Sequence, residues 1–358
     1  MVVGIIGLLI LLIIIVVPVV VIKERDRQKQ LDQQVNRNGG YNQGGNNNNN
    51  NNNDNIISNN SNSNGNNTSA SIDNTDGYSV YRNGDGIING HIVSKYANLT
   101  RIQTIKADAL ANKERVFVVG DIHGCLDEFN QLLDHIQFNP STDQVILAGD
   151  MIAKGPSNTG VIRRAKEIGA LCVRGNHDDK AIRFKTYERS NGPDGMGPSS
   201  AVMPEGDVPD PLKYKNPHLP ISRELSDEDY DYLTSCPSIL RLPSMNNSIV
   251  VHGGLDPMVS DLVQQQPLDV MTMRDISDTG EPTDEKRVGT PWAQAWNEAQ
   301  EKSNTPLTVY YGHDASRGLV IQPFSYGLDT GCVYGRNLTT IDIKTKQIFS
   351  VPCKEYAT

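Results

Sequence analysis

The chain has 358 residues and a formal charge of −9, a length that suits one large α/β domain or two average ones. The charge argues against a general nucleic-acid binder, whose phosphate contacts need a basic face. Five cysteines (Cys125, Cys172, Cys236, Cys332 and Cys353) stand at wide spacings without a CxxC pair. That pattern suggests neither a disulfide framework nor a zinc finger, so the thiols are expected to be reduced.

Val2 to Ile22 contains no charged residue and is long enough to cross a hydrocarbon core of about 30 Å. Residues 1–22 are therefore predicted to be a transmembrane anchor. Lys23, Arg25, Arg27 and Lys29 follow it directly, which by the positive-inside rule places the remainder on the cytosolic side. Within residues 23–76, positions 36–76 are dominated by Asn, Gly and Ser, including the unbroken run Asn46 to Asn53. Such a segment cannot bury enough apolar surface to offset its ordering entropy and is expected to be a disordered linker. A lead-in segment at 77–114 then precedes a catalytic domain at 115–352.

Val116 to Val119 is a short β-branched run ending in Gly120-Asp121. Leu126, Phe129, Leu132, Leu133 and Ile136 then recur at helical spacing. Val145 to Ala148 is a second run, ending in Gly149-Asp150, and a helical stretch follows near Val161 to Ile168. Ala170 to Val173 is a third run, ending in Arg174-Gly175-Asn176-His177. The pattern reads as βαβαβ with buried parallel strands, whose carboxyl ends are where ligands bind. Residues 190–225, rich in Pro, Gly and Asp, read as a surface insertion or lid. Beyond them the chain is more β-rich, with runs leading into His252-Gly253-Gly254 and Gly312-His313 and a terminal hairpin around Lys344-Thr345-Lys346. The predicted fold class is α/β: two packed mixed β-sheets, a β-sandwich, flanked by helices. Trp292 and Trp296 are expected in the core, and His91, His135 and His218, outside the motifs, as surface or core residues.

Each of five motifs closes a strand-like run: Gly120-Asp121-Ile122-His123-Gly124, Gly149-Asp150, Gly175-Asn176-His177-Asp178, His252-Gly253-Gly254 and Gly312-His313. Carboxylate oxygens and imidazole nitrogens suit divalent zinc, manganese or iron. A pair of such ions, needing one shared carboxylate, activates water for in-line attack on phosphorus. Arg174 and Arg317 are candidates for gripping phosphate beside Lys154.

Taken in this order, the five motifs resemble the calcineurin-like metallophosphoesterase superfamily, in its phosphoprotein-phosphatase branch. The resemblance implies that Asp121 and His123 bind one metal, that Asp150 bridges, and that Asn176, His252 and His313 complete the second site. It further implies that His177 is the general acid. The cofactors expected are two divalent ions, zinc first, with cobalt, manganese or iron as substitutes.

The chain departs from the protein-phosphatase pattern at Gly149-Asp150-Met151-Ile152-Ala153-Lys154-Gly155. Ala153 replaces the Asp that orients the catalytic His, and Lys154 replaces a phosphate-gripping Arg, a point charge in place of a bidentate fork. An unassisted acid suits a phosphate leaving group better than an alkoxide, which favours phosphoanhydride substrates. Gly312 to Leu319 and Asp329 to Gly335 are similar to the branch of bacterial diadenosine tetraphosphatase. The N-terminal anchor resembles that of fungal vacuolar endopolyphosphatases, implying inorganic polyphosphate as substrate and a vacuolar location reached through endosomal sorting. Hydrolysis of dinucleoside polyphosphates or an RNA cap is the first alternative, a protein phosphatase the second, and a catalytically dead membrane-tethered scaffold the reading from another class.

Overall fold

The computed structural model describes residues 99–205 and 208–358 in full, with the backbones of four short strands between residues 71 and 92. All of them lie in the unit Gly65–Thr358. Among them no helix is long and apolar enough to cross a membrane. The anchor expected at 1–22 lies outside the described residues, as does most of the linker expected at 23–76.

In chain order the strands are β1 (Ser71–Thr75), β2 (Tyr78–Arg82), β3 (Ile87–Ile88), β4 (His91–Ile92), β5 (Thr100–Ile105), β6 (Arg115–Val119), β7 (Asp143–Leu147), β8 (Leu171–Cys172) and β9 (Ile239–Leu242). There follow β10 (Ser248–Val250), β11 (Asp275–Ser277), β12 (Pro282–Thr283), β13 (Gly289–Pro291), β14 (Thr308–Tyr311), β15 (Val320–Gln322), β16 (Ser325–Gly327), β17 (Asn337–Asp342) and β18 (Ile348–Pro352). The three apolar runs behave as expected: β6, β7 and β8 are parallel neighbours. The terminal hairpin β17–β18 adds antiparallel on the β6 side, completing a five-stranded sheet.

The second sheet has the order β1-β2-β5-β9-β10-β14-β16-β15. It starts earlier in the chain than the catalytic domain expected at 115–352. β5 pairs in parallel with β9, so the lead-in segment is part of the fold, and β1 forms where the linker was expected to end. Within this sheet β10, β14 and β16 are mutually parallel, so their ends emerge on one edge.

The sheets pack face to face through Val116, Val118, Ile146 and Ile341 on one side and Leu240, Val250 and Tyr310 on the other. Each such aliphatic side chain contributes roughly 1.5–3 kcal/mol on burial. The outer face of the five-stranded sheet is covered by the helices Leu126–His135 and Asn158–Glu167, whose Phe129, Leu132, Val161 and Ile162 are fully buried. The outer face of the larger sheet is covered by the helix Trp292–Gln300, with Trp292 and Trp296 in the core as expected.

The segment expected as an insertion or lid is packed rather than loose. Met203, Leu212 and Tyr214 bury against Phe184 and Tyr187 of the helix Asn176–Asn191. Beneath them Arg183 binds Glu205 through Nε at 2.6 Å, both side chains buried. The helix His218–Glu224 follows. A capping box, Ser226 Oγ accepting from the Asp229 N–H, then opens the helix Asp227–Ser235.

The thiols contradict the expectation of a reduced set. Cys172–Cys236 and Cys332–Cys353 are disulfides, and Cys125 remains a buried free thiol. Wide spacing hid them. The partners lie 64 and 21 residues apart in sequence, yet the fold brings their Cα atoms to 5.1 and 5.2 Å.

Candidate metal centre and cleft

Six strand ends build the site. β6 delivers Asp121 and His123, and β7 delivers Asp150. β8 runs into the helix Asn176–Asn191, which opens on Asn176 and His177. β10 delivers His252, β14 delivers His313, and β16 delivers Asp329. The turns are tight enough that His123, Asp150 and His313 adopt positive φ (49°, 48° and 71°), a conformation costly for residues with a Cβ and concentrated at functional sites. At Gly312 a Cβ would stand 2.0 Å from Asp121 Oδ1, so only glycine admits the carboxylate there.

Asp150 is the hub. Its Oδ2 lies 3.3 Å from His252 Nε2 and 3.5 Å from His123 Nε2. Its Oδ1 accepts from the His177 backbone N–H at 2.9 Å, in the first turn of a helix whose dipole favours negative charge. Asp121 accepts from the His313 N–H on both oxygens at 3.1 Å, and its Oδ2 stands 3.9 Å from His123 Nε2. Asn176 Oδ1 lies 3.1 Å from His252 Nε2.

Three imidazoles are oriented by backbone carbonyls. His123 Nδ1 reaches Ile152 O at 3.0 Å, His252 Nδ1 reaches Ala148 O at 2.8 Å, and His313 Nε2 reaches Thr272 O at 2.9 Å. A carbonyl only accepts, so each of these nitrogens carries a proton, and in the neutral ring the other nitrogen is the one free to meet a cation. Two groups result in which one ligand atom per residue falls within 4.8 Å of the others: His123, Asp150 and His177, and Asp150, His252 and His313. Asp150 belongs to both.

The electrostatics fit divalent cations. Burial, together with the Asp329 carboxylate, pushes the Asp121 carboxyl well above the usual range. Burial also opposes charge on Asp150, but His252 and His177 outweigh it and hold that carboxyl well below the usual range. Buried carboxylates crowded this closely are stabilised when a cation shares them, and oxygen and imidazole donors suit zinc, manganese, cobalt or iron. Asp121, His123, Asp150, Asn176, His252 and His313 would hold the ions.

An open cleft of about 610 Å³ leads to these groups, with Asp150, Asn176, His177 and His313 in its lining. Lys154, Arg274, Lys286 and Arg336 add four cations to the wall, and Tyr334 one aromatic ring. Lys154 Nζ lies 3.1 Å from His123 Nε2 and 5.4 Å from the centre of the Tyr334 ring. The structure thus brings together all six expected metal ligands, His177 and Lys154.

Two expected phosphate grips are elsewhere. Arg174 is 1% exposed, held by Asp179 at 3.4 Å and the Thr234 carbonyl at 3.2 Å, and is absent from the cleft lining. Arg317 is engaged by Asp275 and, at 2.5 Å, by Asp314, and lines a separate small pocket beside Trp292. Both are structural ion pairs, and their places in the cleft are taken by Arg274, Lys286 and Arg336. Those three stand in loops without a motif. Asp329, which lines the cleft, carried the same signal as the expected ligands, a strand end. His218, read as a surface or core residue, instead meets the site: its Nε2 lies 2.7 Å from His177 Nδ1.

Comparison with known proteins agrees with this geometry. Residues 114–340 match the family described as calcineurin-like phosphoesterase. The chain is 26% identical over 301 residues to the symmetrical bis(5'-nucleosyl)-tetraphosphatase of Coxiella burnetii (strain Dugway 5J108-111), covering 70% of this chain and 95% of that one. It is 27% identical to the protein of the same name from Erwinia tasmaniensis, over 66% of this chain and 97% of the relative. A solved structure described as "a putative diadenosine tetraphosphatase" is 31% identical, with a TM-score of 0.57 over 71% of this chain and 98% of its own. The resemblance to endopolyphosphatases is not shown by these comparisons.

Proposed function

Because the chain belongs to the calcineurin-like phosphoesterases, a family that uses two divalent metals, we propose that it hydrolyses the phosphoanhydride bonds of dinucleoside polyphosphates. The observation that carries this reading is the sharing of Asp150 by both ligand groups at the base of a cleft walled by four cations. Divalent ions held there supply Lewis acidity toward water and toward phosphoryl oxygens. Lys154, Arg274, Lys286 and Arg336 bind a run of phosphates and compensate its charge. Tyr334 offers a face on which a base can stack. His177, with its side chain 18% exposed at the cleft, gives a proton to the departing oxygen.

Inorganic polyphosphate is the second reading. Four cations against one lining aromatic favour phosphates over bases. Membrane anchoring and a vacuolar location belong to this reading. The two disulfides support an oxidising compartment rather than the cytosol.

The test uses the full-length chain, stripped of metal and reloaded with zinc, cobalt, manganese or magnesium. It is assayed on diadenosine tetraphosphate, long-chain polyphosphate and a phosphoserine peptide. Turnover of diadenosine tetraphosphate to ADP at the highest kcat/KM is expected. Faster cutting of polyphosphate moves the assignment to the second reading, and a preference for the peptide overturns both.

A further inference from the structure

Among the described residues the partner of His177 Nδ1 is not a carboxylate. The His177 ring is nevertheless fixed from the far side. His177 Nδ1 lies 2.7 Å from His218 Nε2, with the ring centres 4.9 Å apart. His218 Nδ1 in turn lies 2.6 Å from Asn216 Oδ1, an oxygen that also accepts from the His218 backbone N–H at 3.0 Å. His218 is 5% exposed, so water does not compete for these bonds.

The protons follow from what each atom can do. The backbone donor identifies the Asn216 atom as the amide oxygen, which only accepts. His218 Nδ1 must therefore carry a hydrogen. Neutral His218 then presents a bare Nε2, and His177 Nδ1 must donate to it. That is the role a carboxylate plays behind a catalytic imidazole: it accepts from Nδ1–H, fixes the ring plane and leaves Nε2 to face the reacting atoms.

We propose that His218, anchored by Asn216, is the positioning residue for His177, in the role a carboxylate plays behind other catalytic imidazoles. This rests on the reading of His177 as the acid. To act as the acid, His177 must first take up a second proton from solvent at Nε2; when the phosphorus–oxygen bond breaks, its electron pair goes to the leaving oxygen, which takes that Nε2 proton and leaves the ring neutral. The Nδ1 proton stays shared with His218. A neutral acceptor stabilises a protonated His177 less than a carboxylate does, so the arrangement suits leaving groups that need little proton assistance. The device comes from residues 190–225: that segment packs onto the helix Asn176–Asn191 and carries His218 back to its N-terminal end.

The experiment compares the full-length chain with His218→Ala, His218→Gln, His177→Ala and the double variant. Substrates are p-nitrophenyl phosphate, whose leaving group departs readily, and phenyl phosphate, whose leaving group does not. His218→Ala is expected to lower kcat on phenyl phosphate about 10-fold or more with KM unchanged, and to affect p-nitrophenyl phosphate less. His218→Gln, whose amide oxygen can accept, should recover most of the loss, and His218→Ala should cost nothing further once His177 is Ala. Equal losses on both substrates, or a further loss in the His177→Ala background, overturn the proposal. A readout independent of turnover uses nitrogen-15-labelled histidine. The His177 ring should be protonated at Nδ1 in the native chain and in His218→Gln and redistribute in His218→Ala, and an unchanged tautomer in His218→Ala overturns the pairing. A chain that hydrolyses neither these esters nor diadenosine tetraphosphate sinks the proposed function, while the tautomer still decides the pairing.

Discussion

Asp150 and His252 form the shortest carboxylate–imidazole pair of the centre, 3.3 Å between Oδ2 and Nε2, with both side chains at most 2% exposed. One residue ends a strand of the smaller sheet and the other a strand of the larger, so the pair ties the sandwich together at its catalytic edge. Because Asp150 also serves the His123 group, its loss should affect both metals. Asp150→Asn is expected to lower kcat by at least about 10³-fold and to reduce bound metal from two ions per chain to one or none. Metal analysis beside steady-state kinetics checks this, and a fully metallated, active variant would refute the shared role.

The same pair makes a prediction about pH. In the metal-free chain burial pulls His252 down, but Asp150 and Asp121 more than offset it and hold the ring at about 10, against 6.5 for a free histidine. A raised folded pKa means stability fully present below about 6.5 and lost as pH rises through about 10. The melting temperature of chelator-treated protein should therefore fall between pH 7 and pH 10, and this slope should be smaller in His252→Asn. Metal binding needs the neutral ring, so loading at pH 8 should release at least one proton, measured by calorimetry in buffers of different ionisation enthalpy.

Much of the centre was legible because its chemistry sits at strand ends, where a short apolar run followed by Gly-Asp, Asn-His or Gly-His marks both the element and the ligand. Asp121, Asp150, Asn176, His252 and His313 were found this way. What was not legible depends on tertiary return. His218 follows a segment without periodicity, and only the packing of Met203, Leu212 and Tyr214 onto Phe184 and Tyr187 brings it to His177. Arg174 follows a strand just as the ligands do, yet it turns inward to Asp179, and a sequence does not show which way a side chain leaves a turn. The family match begins at residue 114, close to the expected boundary at 115, while the pairing of β5 with β9, far along the chain, left no local signal.

Those inward arginines give a contrast that kinetics can read. Lys154 lies in the cleft beside His123, so Lys154→Ala should raise KM for a polyphosphorylated substrate about 10-fold, an effect that shrinks in high salt. Arg174→Ala leaves Asp179 with Arg183 as its remaining cation inside a buried ion network and should lower stability by about 3 kcal/mol with KM unchanged in the folded fraction. A KM effect from Arg174→Ala in protein that melts normally would restore it as a phosphate grip.

Tyr334 separates the two substrate readings. If a base stacks on it, Tyr334→Ala should weaken productive binding of diadenosine tetraphosphate by about 1–3 kcal/mol, roughly 5- to 150-fold in KM, and leave inorganic polyphosphate unchanged. Equal effects on both substrates would mean that the ring serves Lys154, over which it lies, and not a nucleoside.

The disulfide Cys172–Cys236 lies two residues before Arg174, on the strand that leads into Asn176 and His177. It closes a loop spanning 64 residues, which by chain entropy is worth about 4 kcal/mol; that loop holds the whole segment that brings His218 to the site. Cys332–Cys353, across 21 residues, is worth about 3 kcal/mol on the same scale and fastens the C-terminus beside Tyr334. A Cys172→Ser, Cys236→Ser pair should therefore lower both stability and kcat, because the loosened segment no longer fixes His177. The Cys332→Ser, Cys353→Ser pair should lower stability and act on KM through Tyr334. Denaturant melts of the oxidised chain and both variants, with kinetics on each, check the split. Identical melts for all three chains would show that the thiols are reduced in the working protein and remove the support for an oxidising compartment.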